Sequence, residues 1–382
     1  MLIVADLSHW AIYLLLAGAT VGCLYLVTAG LLVLRHRRSP VSDASPVPVT
    51  VLVPLCGDEP RLAHLLRGLC DQDYGGPLQI ICGASSAADP AVAIARRIAD
   101  DDPQQRIEIQ VDPEIHGRNL KVSNQINMMR HARHDTLVMV DSDVEVDHNF
   151  LSNMIADLQR PGVGAVSCLY HGVASENIWA RLAASRINTH FLPNVIVGLK
   201  FGLARPCFGA GLAISRDTLE RIGGLQAFAD QLWEDYEIGQ AIRALGLEIA
   251  MPQFTLGHVY AGRSGRDLVT NQMRDALTIR NINPIGHAGS IVTHPFPLAL
   301  SAALIGGGSE ALAVALLALG CRSALGWCVE FRFGARPALF WLMPVRDVLS
   351  FGVHVASFFG DSVMWRGHRY RLYNRKLIPD PG

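Results

Sequence analysis

Two carboxylates follow an apolar run in the middle of the chain. The segment MVDSDVEVD at 139–147 places Asp141 and Asp143 one residue apart, directly after the run 136–140. If that run is a strand, both carboxylates lie at a sheet edge, where hard oxygen ligands suit Mg²⁺ or Mn²⁺. Such a cation neutralises the charge that develops on a departing phosphate. Asp-x-Asp alone is equally consistent with a solvated turn whose aspartates cap the backbone.

A second acidic pair, Glu234-Asp235, begins a predicted helix in WEDYEIGQAI at 233–242. A carboxylate at a helix start can be a cap or a partner of the helix dipole. It can also be a general base, because a hydroxyl is a poor nucleophile until its proton has an acceptor. The segment therefore makes Asp235 a candidate base while leaving the capping role open.

One lysine and one histidine are further candidates. Lys121 follows Asn119 at a predicted helix start, where backbone N–H groups and a cation can meet a phosphate. A lysine on the helix surface is the alternative. His258 follows the predicted strand 248–252 and is a candidate third metal ligand or diphosphate contact, although most lone histidines are not ligands.

These residues need a scaffold, and the pattern between residues 45 and 290 provides one. Short β-rich runs alternate with helical stretches, which is typical of a parallel or mixed sheet wrapped by helices. Ligands bind at the C-terminal edge of the strands in such sheets. Pro54 and Glu59 follow the first strand and Asp89 follows the second. The predicted strands are 49–55, 79–83, 106–111 and 136–140, and the predicted helices are 61–70, 90–100 and 120–132.

An uncharged apolar segment, 11–34, precedes this region. At about 1.5 Å per residue, a helix of that length crosses a hydrocarbon core of roughly 30 Å. The basic cluster 35–38 comes after the apolar run, unlike the order in a cleaved signal peptide. We therefore predict an anchor over residues 1–38, with its C-terminal end in the cytoplasm.

A second apolar zone begins near residue 291 and is interrupted by charged residues at 321–337. It predicts a membrane region over 291–363 with one or two spans, the interruption being a loop, an interfacial helix or a third span. The tail 364–382 is rich in Arg, Lys, Tyr and Trp, as in cytoplasmic interface anchors. A cytoplasmic tail favours an even number of crossings after the anchor.

Composition supports this division. Half of the 382 residues are hydrophobic, and the mean hydropathy is +0.25. The net charge of −1 gives no global attraction to nucleic acid, so no nucleic-acid partner is predicted. Eight cysteines occur singly, without CxxC pairs, which indicates reduced thiols in a cytosolic environment.

Taken in order, these motifs resemble the family 2 type of membrane glycosyltransferase. More narrowly, they resemble ceramide glucosyltransferase and its bacterial relatives associated with hopanoid biosynthesis. The resemblance implies an α/β, nucleotide-sugar-binding (GT-A-like) mixed sheet with helices on both faces, plus N- and C-terminal transmembrane helices. The segments that carry it are VLVPLCGDEPRL at 51–62, ADPAVAIARRI at 88–98, HGRNLKVSNQIN at 116–127, VDSDVEVD at 140–147, RPCFGAGLAISRDTLERIGG at 205–224, WEDYEIGQAI at 233–242 and GSIVTHPFPLAL at 289–300.

The resemblance also implies roles for the candidate residues. Asp89 would lie near the uridine and Asp235 would be the base. The family's Gln-x-x-Arg-Trp element reads NQMRD at 271–275, which keeps Arg274 as a diphosphate partner but lacks the tryptophan. The expected donor-binding residues are Pro54, Glu59, Asp89, Lys121, Asp141 and Arg274, and the expected metal ligands are Asp141, Asp143 and His258.

The implied function is an inverting transfer of one sugar, glucose or N-acetylglucosamine, from a UDP-sugar to a lipid hydroxyl of the ceramide or hopanoid type. A lipid acceptor is expected because a domain over 45–290 tethered at both ends lies beside the bilayer. The expected location is the bacterial inner membrane, with the catalytic domain in the cytoplasm. A processive polysaccharide synthase and a non-catalytic scaffold that binds UDP-sugar or lipid remain alternatives.

Overall fold

The computed structural model describes residues 2–36, 45–59, 61–174, 177–260, 262, 264–335, 340–360, 362–365, 368–373 and 376–379. The chain divides into two compact units. The sheet unit consists of Arg37–His171 and Arg205–Ala261. The helical unit consists of Met1–His36, Gly172–Ala204 and Gly262–Gly382. This division differs from the predicted continuous domain over 45–290, because 172–204 and most of 262–290 are helices that pack within the helical unit.

Helices and strands follow the predicted alternation closely. The helices are α1 (Leu2–Arg35), α2 (Leu62–Cys70), α3 (Pro90–Asp101), α4 (Leu120–Met129), α5 (Phe150–Leu158), α6 (Ile178–Arg186), α7 (Leu192–Lys200), α8 (Arg216–Arg221), α9 (Glu234–Ala244), α10 (Gly265–Ile282), α11 (Pro284–Gly289), α12 (Pro295–Leu304), α13 (Gly308–Phe333) and α14 (Met343–Ala356). The strands are β1 (Val49–Pro54), β2 (Leu78–Ala84), β3 (Ile107–Val111), β4 (Thr136–Val140), β5 (Val144–Glu145), β6 (Val163–Ser167), β7 (Leu169–Val173), β8 (Gly211–Ser215), β9 (Glu248–Ala250), β10 (Thr255–Val259), β11 (Ser362–Trp365), β12 (His368–Tyr373) and β13 (Lys376–Pro379). Short 3-10 or π-helical segments lie at Ile187–Phe191, Leu225–Phe228, Ser290–Thr293 and Phe340–Leu342.

The sheet unit is built on a mixed sheet with strand order β3-β2-β1-β4-β8-β6-β9. Strands β3, β2, β1 and β4 are parallel, whereas β8 runs antiparallel to β4 and β6. The chain winds outward from β1 through β2 to β3 and then returns to the other side of β1 with β4. Ligands bind at such a switch point, beyond the carboxyl ends of the strands. A smaller sheet has the order β5-β10-β7.

Alternating side chains of the buried strands pack on helices at both faces, as predicted. Val51 and Val53 join the core formed with α2, α3 and α5. Leu52 points the other way, into the core formed with α4 and α9. Because both faces are covered, β1 is a continuous apolar run rather than an alternating one. The predicted α/β mixed sheet is therefore confirmed.

The helical unit packs α1 against α12 and α13 through small side chains. Gly22 lies so close to the segment before α12 that a Cβ there would be 2.3 Å from the Val292 carbonyl oxygen. Ala19, Ala299 and Ala318 are buried in the same cluster. Small residues at such seams let helix backbones approach closely, which is the usual basis of helix association in membranes.

Among the described residues, two helices are long and apolar enough to cross a membrane: His9–Arg35, with 27 residues, and Gly308–Phe333, with 26. The second is continuous across most of the charged interruption at 321–337, because Arg322 finds partners inside the unit. Helix α14, with 14 residues, is shorter than the bilayer core. An even number of later crossings stays a prediction.

The predicted basic tail contains an antiparallel three-stranded sheet, β11-β12-β13. Arginine recurs at every second position in the middle of β12 (HRYRLY), which is the side-chain period of a strand and was not used in the sequence prediction. Several residues of the predicted anchor, membrane region and tail lie outside the described residues: 37–38, 336–339, 361, 366–367, 374–375 and 380–382.

Candidate active site

The two paired aspartates lie at the carboxyl end of β4, as predicted. Asp141 directly follows the strand, and its N–H donates to the Ala210 carbonyl at 3.3 Å. Asp143 directly precedes β5, and its carbonyl accepts from the Val259 N–H at 2.7 Å. These backbone contacts fix both carboxylates beyond the switch point of the central sheet.

Lys121 lies among these carboxylates rather than on a helix surface. Its Nζ is 2.7 Å from Asp141 Oδ1 and 3.2 Å from Glu234 Oε1. Only 18% of the lysine side chain is exposed. Asn119 orders this contact, because it caps α4 through the N–H groups of Lys121 and Val122 and donates its side-chain amide to Glu234 Oε2 at 3.0 Å.

Electrostatics keep the lysine charged. Burial lowers the pKa of Lys121, but the charges of Asp141 and Glu234 outweigh it and raise that pKa above its ordinary value of 10.5. Burial raises the pKa of Asp141, and the charge of Lys121 opposes this change. One cation therefore faces several carboxylates, and the site carries an excess of negative charge.

Asp235 occupies the first turn of α9 beside this cluster. Its Oδ2 accepts from the Gly209 N–H at 3.0 Å, and its Oδ1 accepts from the Tyr236 N–H at 2.7 Å. Burial, followed by the nearby charge of Glu234, raises the pKa of Asp235 to about 7. A carboxylate with that pKa can both accept and release a proton near neutral pH.

Gly209 leaves little space beside Lys121. A Cβ at that position would be 3.0 Å from Lys121 Nζ and 3.5 Å from Asp235 Cβ. A side chain at this position would need the end of Lys121 to shift. The loop before β8 is therefore part of the site, which the sequence interpretation did not foresee.

The predicted metal ligands fall into two groups. His258 is on β10, where it pairs with Val144 of β5, and its Nε2 is 3.4 Å from Asp143 Oδ2. Asp143 Oδ1 and His258 Nδ1 are buried and lack hydrogen-bond partners. Asp141 instead contacts Lys121. Within the described ranges, no group of three or more His, Cys, Asp or Glu side chains is arranged to hold a metal ion.

Asp143 and His258 form an incomplete set of ligands, and such a set is compatible with Mg²⁺ or Mn²⁺. Mg²⁺ is commonly bound through one or two carboxylates, with the remaining positions taken by water and substrate phosphates. An orphaned carboxylate oxygen of Asp143 supplies one such hard ligand. His258 faces Asp143 through Nε2, and an imidazole nitrogen is a second ligand that Mn²⁺ accepts.

Asp89 supports the loop after β1. It caps α3 by accepting from the Ala91 N–H at 2.9 Å, and both of its oxygens lie 3.0 Å from the Gly57 nitrogen. Gly57 has φ of +79°, a conformation that favours glycine. Pro54 ends β1 and pairs with Gly83. Asp89 thus positions the segment that leads to Glu59.

Arg274 lies on α10 in the helical unit, whereas the other candidate residues belong to the sheet unit. Its Nη2 is 3.4 Å from Asp275 Oδ1. Asp275 Oδ2 is 3.1 Å from Arg186 Nη1. The residue that replaces the family tryptophan is therefore the centre of an ion-pair network.

The structure brings Lys121, Asp141 and Asp235 together, and it brings Asp143 to His258. Sequence interpretation missed the role of Glu234, which pairs with Lys121 and raises the pKa of Asp235. Its position next to Asp235 was the available signal. Nothing in the local sequence pairs residues 121 and 234, which are separated by more than a hundred positions.

Comparisons with known proteins agree with this picture. Residues 14–378 match Glycosyl transferase family 21. Ceramide glucosyltransferase 1 of Caenorhabditis elegans is 23% identical over 219 residues, which cover 57% of this chain and 46% of that protein. An N-acetylglucosaminyltransferase of Rhizobium leguminosarum bv. viciae is 29% identical over 144 residues, which cover 35% of this chain and 32% of that protein. The chain thus spans less than half the length of these relatives.

Among solved structures, the mannosyltransferase PcManGT from Pyrobaculum calidifontis, in complex with GDP-Man and Mn²⁺, is similar to this chain. The two are 23% identical in sequence, and the match covers 90% of this chain and 99% of that chain with a TM-score of 0.48. The family match and the curated relatives confirm the resemblance to ceramide glucosyltransferases that the sequence motifs indicated.

Proposed function

Because the chain belongs to glycosyl transferase family 21 and is a glycosyltransferase, we propose that it moves one sugar from a UDP-sugar to the hydroxyl of a membrane lipid. The sugar is glucose or N-acetylglucosamine, and the lipid is of the ceramide or hopanoid type. The observation that carries this proposal is the convergence of Lys121, Asp141, Glu234 and Asp235 at the carboxyl end of the central sheet.

The donor binds, in this proposal, across the carboxyl ends of β1 and β4. Asp89 and the β1 loop, with Pro54 and Glu59, hold the uridine side, since Asp89 fixes that loop through the Gly57 N–H. Lys121 supplies a cation for the diphosphate. Lys121 then contacts Asp141 and the sugar donor together, since an ammonium group has three N–H bonds that can donate hydrogen bonds.

Asp143, Asp141 and His258 would hold the Mg²⁺ or Mn²⁺ ion, with the donor phosphates completing its shell. The excess negative charge around Lys121, the orphaned oxygen of Asp143 and the approach of His258 Nε2 to Asp143 support this assignment. The ion, when bound, neutralises charge on the departing diphosphate. Arg274 is a candidate for the same diphosphate, since guanidinium groups pair well with phosphate oxygens.

Asp235 acts as the base. Its carboxylate takes the proton of the acceptor hydroxyl, and the hydroxyl oxygen forms a bond to the anomeric carbon. The bond from that carbon to the UDP oxygen breaks, and UDP leaves with the electron pair. One displacement inverts the anomeric configuration. A pKa of about 7 suits this role because the base is ionised above neutrality yet basic enough to hold the proton.

The membrane helices support a lipid acceptor. Helix α1 and helix α13 are each long enough to span the bilayer, so the chain stays where lipid hydroxyls emerge. The similarity to ceramide glucosyltransferases supports the same class of acceptor. The similarity to N-acetylglucosaminyltransferases keeps the second sugar in the proposal.

We place the sheet unit in the cytoplasm of a bacterium, at the inner membrane, since basic residues that flank spans favour that side. Cys56 offers a test, because it is exposed while six of the other seven cysteines are buried. A membrane-impermeant maleimide should label Cys56 in inverted vesicles but not in intact spheroplasts. Labelling in intact spheroplasts would contradict the orientation. Cys56→Ser is the control that accounts for labelling elsewhere.

The deciding experiment incubates membranes containing the protein with Mn²⁺ or Mg²⁺, a panel of UDP-sugars and lipid extracts, and identifies new glycolipids by mass spectrometry. We expect one hexose or N-acetylhexosamine per lipid. A ladder of added sugars would favour a processive synthase. UDP binding without transfer or hydrolysis of any UDP-sugar would favour a scaffold, for which the Asp275 replacement is the motivating observation.

A further inference from the structure

A second cluster of charged residues lies inside the helical unit. Arg322 of α13 is near the middle of a helix long enough to span a membrane, and it is 1% exposed. Arg346 and Asp347 begin α14 and are equally buried. Ionisable residues at such a depth are costly, and in membrane proteins they mark functional positions.

The charges of this cluster do not balance. Asp347 pairs with both arginines, its Oδ2 lying 3.3 Å from Arg322 Nε and its Oδ1 contacting Arg346 Nη2. Arg322 is otherwise satisfied by the carbonyl oxygens of Thr189 and Thr293. Carbonyl oxygens stabilise the N–H groups but carry no net charge. Two buried guanidinium groups therefore share one carboxylate.

Arg346 and three other side chains of this part of the unit carry polar atoms without hydrogen-bond partners. Arg346 Nε and Nη1 are buried without hydrogen-bond partners. Ser350 Oγ and His354 Nε2 are in the same state, one and two turns further along α14, on the face that carries Arg346. His294, whose ring centroid is 5.3 Å from that of His354, has an unpartnered Nδ1. Each of these four side chains is at least nine-tenths buried.

Water would satisfy some of these atoms but would not compensate the charge. Leaving a charge buried without a counter-ion is strongly destabilising. An oxyanion would satisfy these atoms and also compensate the charge, because it has several acceptor oxygens and a negative charge. Guanidinium, hydroxyl and imidazole N–H groups are all donors suited to phosphate oxygens.

We propose that Arg346, Ser350, His354 and His294 form a phosphate-binding site in the helical unit, with Arg322 and Asp347 as its electrostatic support. The ligand is a phosphate group, either of a membrane phospholipid or of free phosphate. Phosphate-bearing lipids are the anions most available to a chain with two membrane-length helices. This site is separate from the residues assigned to sugar transfer, and its test does not depend on that reaction.

The test measures thermal unfolding of the full chain after purification and delipidation in a non-ionic detergent. Separate titrations use inorganic phosphate, dihexanoylphosphatidic acid, and potassium chloride at matched ionic strength. Ligand at about a hundred times its Kd should raise the Tm by roughly 3–8 °C. Stabilisation by the lipid alone identifies the headgroup as the source, and stabilisation by inorganic phosphate alone identifies the free ion.

Two variants connect the effect to the site. Arg346→Gln should abolish the shift. Ser350→Ala removes a hydroxyl that has no protein partner, so it leaves the fold intact and should raise the half-saturating phosphate concentration about five- to tenfold. Ser301→Ala is the matched control, because that hydroxyl is already paired with the Pro297 carbonyl in the same unit. It should behave as wild type.

The proposal fails if neither phosphate source stabilises the wild-type chain beyond the chloride control. It also fails if Ser350→Ala responds as wild type does, since the stabilising anion would then bind elsewhere. The first result would mean that the cluster holds water only. Ser350→Ala decides the matter even if Arg346→Gln does not fold.

Discussion

The two units each contain an ionic cluster, and the two clusters have opposite charge imbalances. In the sheet unit, Lys121 faces Asp141 and Glu234, whose side chains are 30% and 12% exposed. In the helical unit, Arg322 and Arg346 share Asp347, and all three are 1% exposed. The first cluster lacks positive charge and is reached by solvent, whereas the second lacks negative charge and is closed.

This difference shows what each cluster can accept. A solvent-accessible excess of carboxylates can receive a divalent cation together with a charged substrate and release them again. A closed excess of cations is suited to an anion that stays bound, because a buried partner exchanges slowly. The first arrangement suits turnover and the second suits a permanent ligand.

The largest effect is expected for Asp235→Asn. Removing the base should lower the rate of sugar transfer about 10²–10⁴-fold, measured by mass spectrometry of the glycolipid product. Because burial raises the pKa of Asp235 from 3.8 to about 7, the folded state loses stability as pH rises between these two values, and the full cost of the ionised carboxylate is present above 7. The variant should therefore unfold at the same or a higher temperature than wild type at pH 8.

Asp217→Asn is the control, since Asp217 is an exposed residue in the same unit whose side chain is 79% accessible. It should retain full activity. Undiminished transfer by Asp235→Asn would remove the assignment of the base. A variant that is inactive because it has unfolded would be recognised by its lower unfolding temperature.

In the helical unit, Asp347→Asn should lower the free energy of unfolding by about 3–5 kcal/mol, because it leaves two buried cations without a carboxylate. Chemical denaturation in detergent measures this change. Asp217→Asn, which removes an exposed carboxylate, should stay within about 0.5 kcal/mol of wild type. Equal stabilities for these two variants would mean that the buried cluster is not charged as described.

Lys121→Met should weaken donor binding about 10–100-fold, since it removes the cation between Asp141 and Glu234 and leaves the carboxylates to repel a diphosphate. Fluorescence titration with UDP measures the affinity. Lys200→Met, at the end of α7, is the control and should bind UDP as wild type does. An unchanged affinity in Lys121→Met would exclude Lys121 from the donor site.

A smaller effect concerns pH. The rate of transfer should rise about tenfold per pH unit below the pKa of Asp235 and level off above about 7. Because the charge of Glu234 raises that pKa, Glu234→Gln should move the rising limb to lower pH. The exposed Glu248→Gln should leave it in place. A shift to higher pH in Glu234→Gln would contradict the electrostatic assignment.

The sheet unit was largely predictable from the sequence, whereas in the helical unit the membrane-length helices were expected but their charged contacts were not. Strands β1 and β4 are continuous apolar runs bounded by polar residues, so hydrophobic pattern and turn residues were enough to locate them. The Asp141–Asp143 pair followed from the end of β4. The predicted position of His258 was less accurate. The sequence indicated only one strand there, which corresponds to β9, and the short strand β10 that carries His258 was missed.

The contacts that make each cluster are long-range, which explains what the sequence did not reveal. Lys121 meets Glu234, and Arg322 meets Asp347, only after the intervening helices fold. Polar residues in an apolar stretch were interpreted as an interruption of the membrane region, yet α13 continues through Arg322 because its partners lie inside the unit. Hydropathy records the presence of such residues but not their partners.

The most direct test of the donor site is calorimetric titration of UDP into the full chain with and without Mn²⁺. We predict that Mn²⁺ tightens UDP binding at least about tenfold in wild type and in Asp217→Asn, and that Asp143→Asn loses this dependence because a neutral amide replaces the anionic carboxylate. UDP affinity that does not depend on Mn²⁺ in wild type, or an undiminished Mn²⁺ effect in Asp143→Asn, would contradict the proposed donor site.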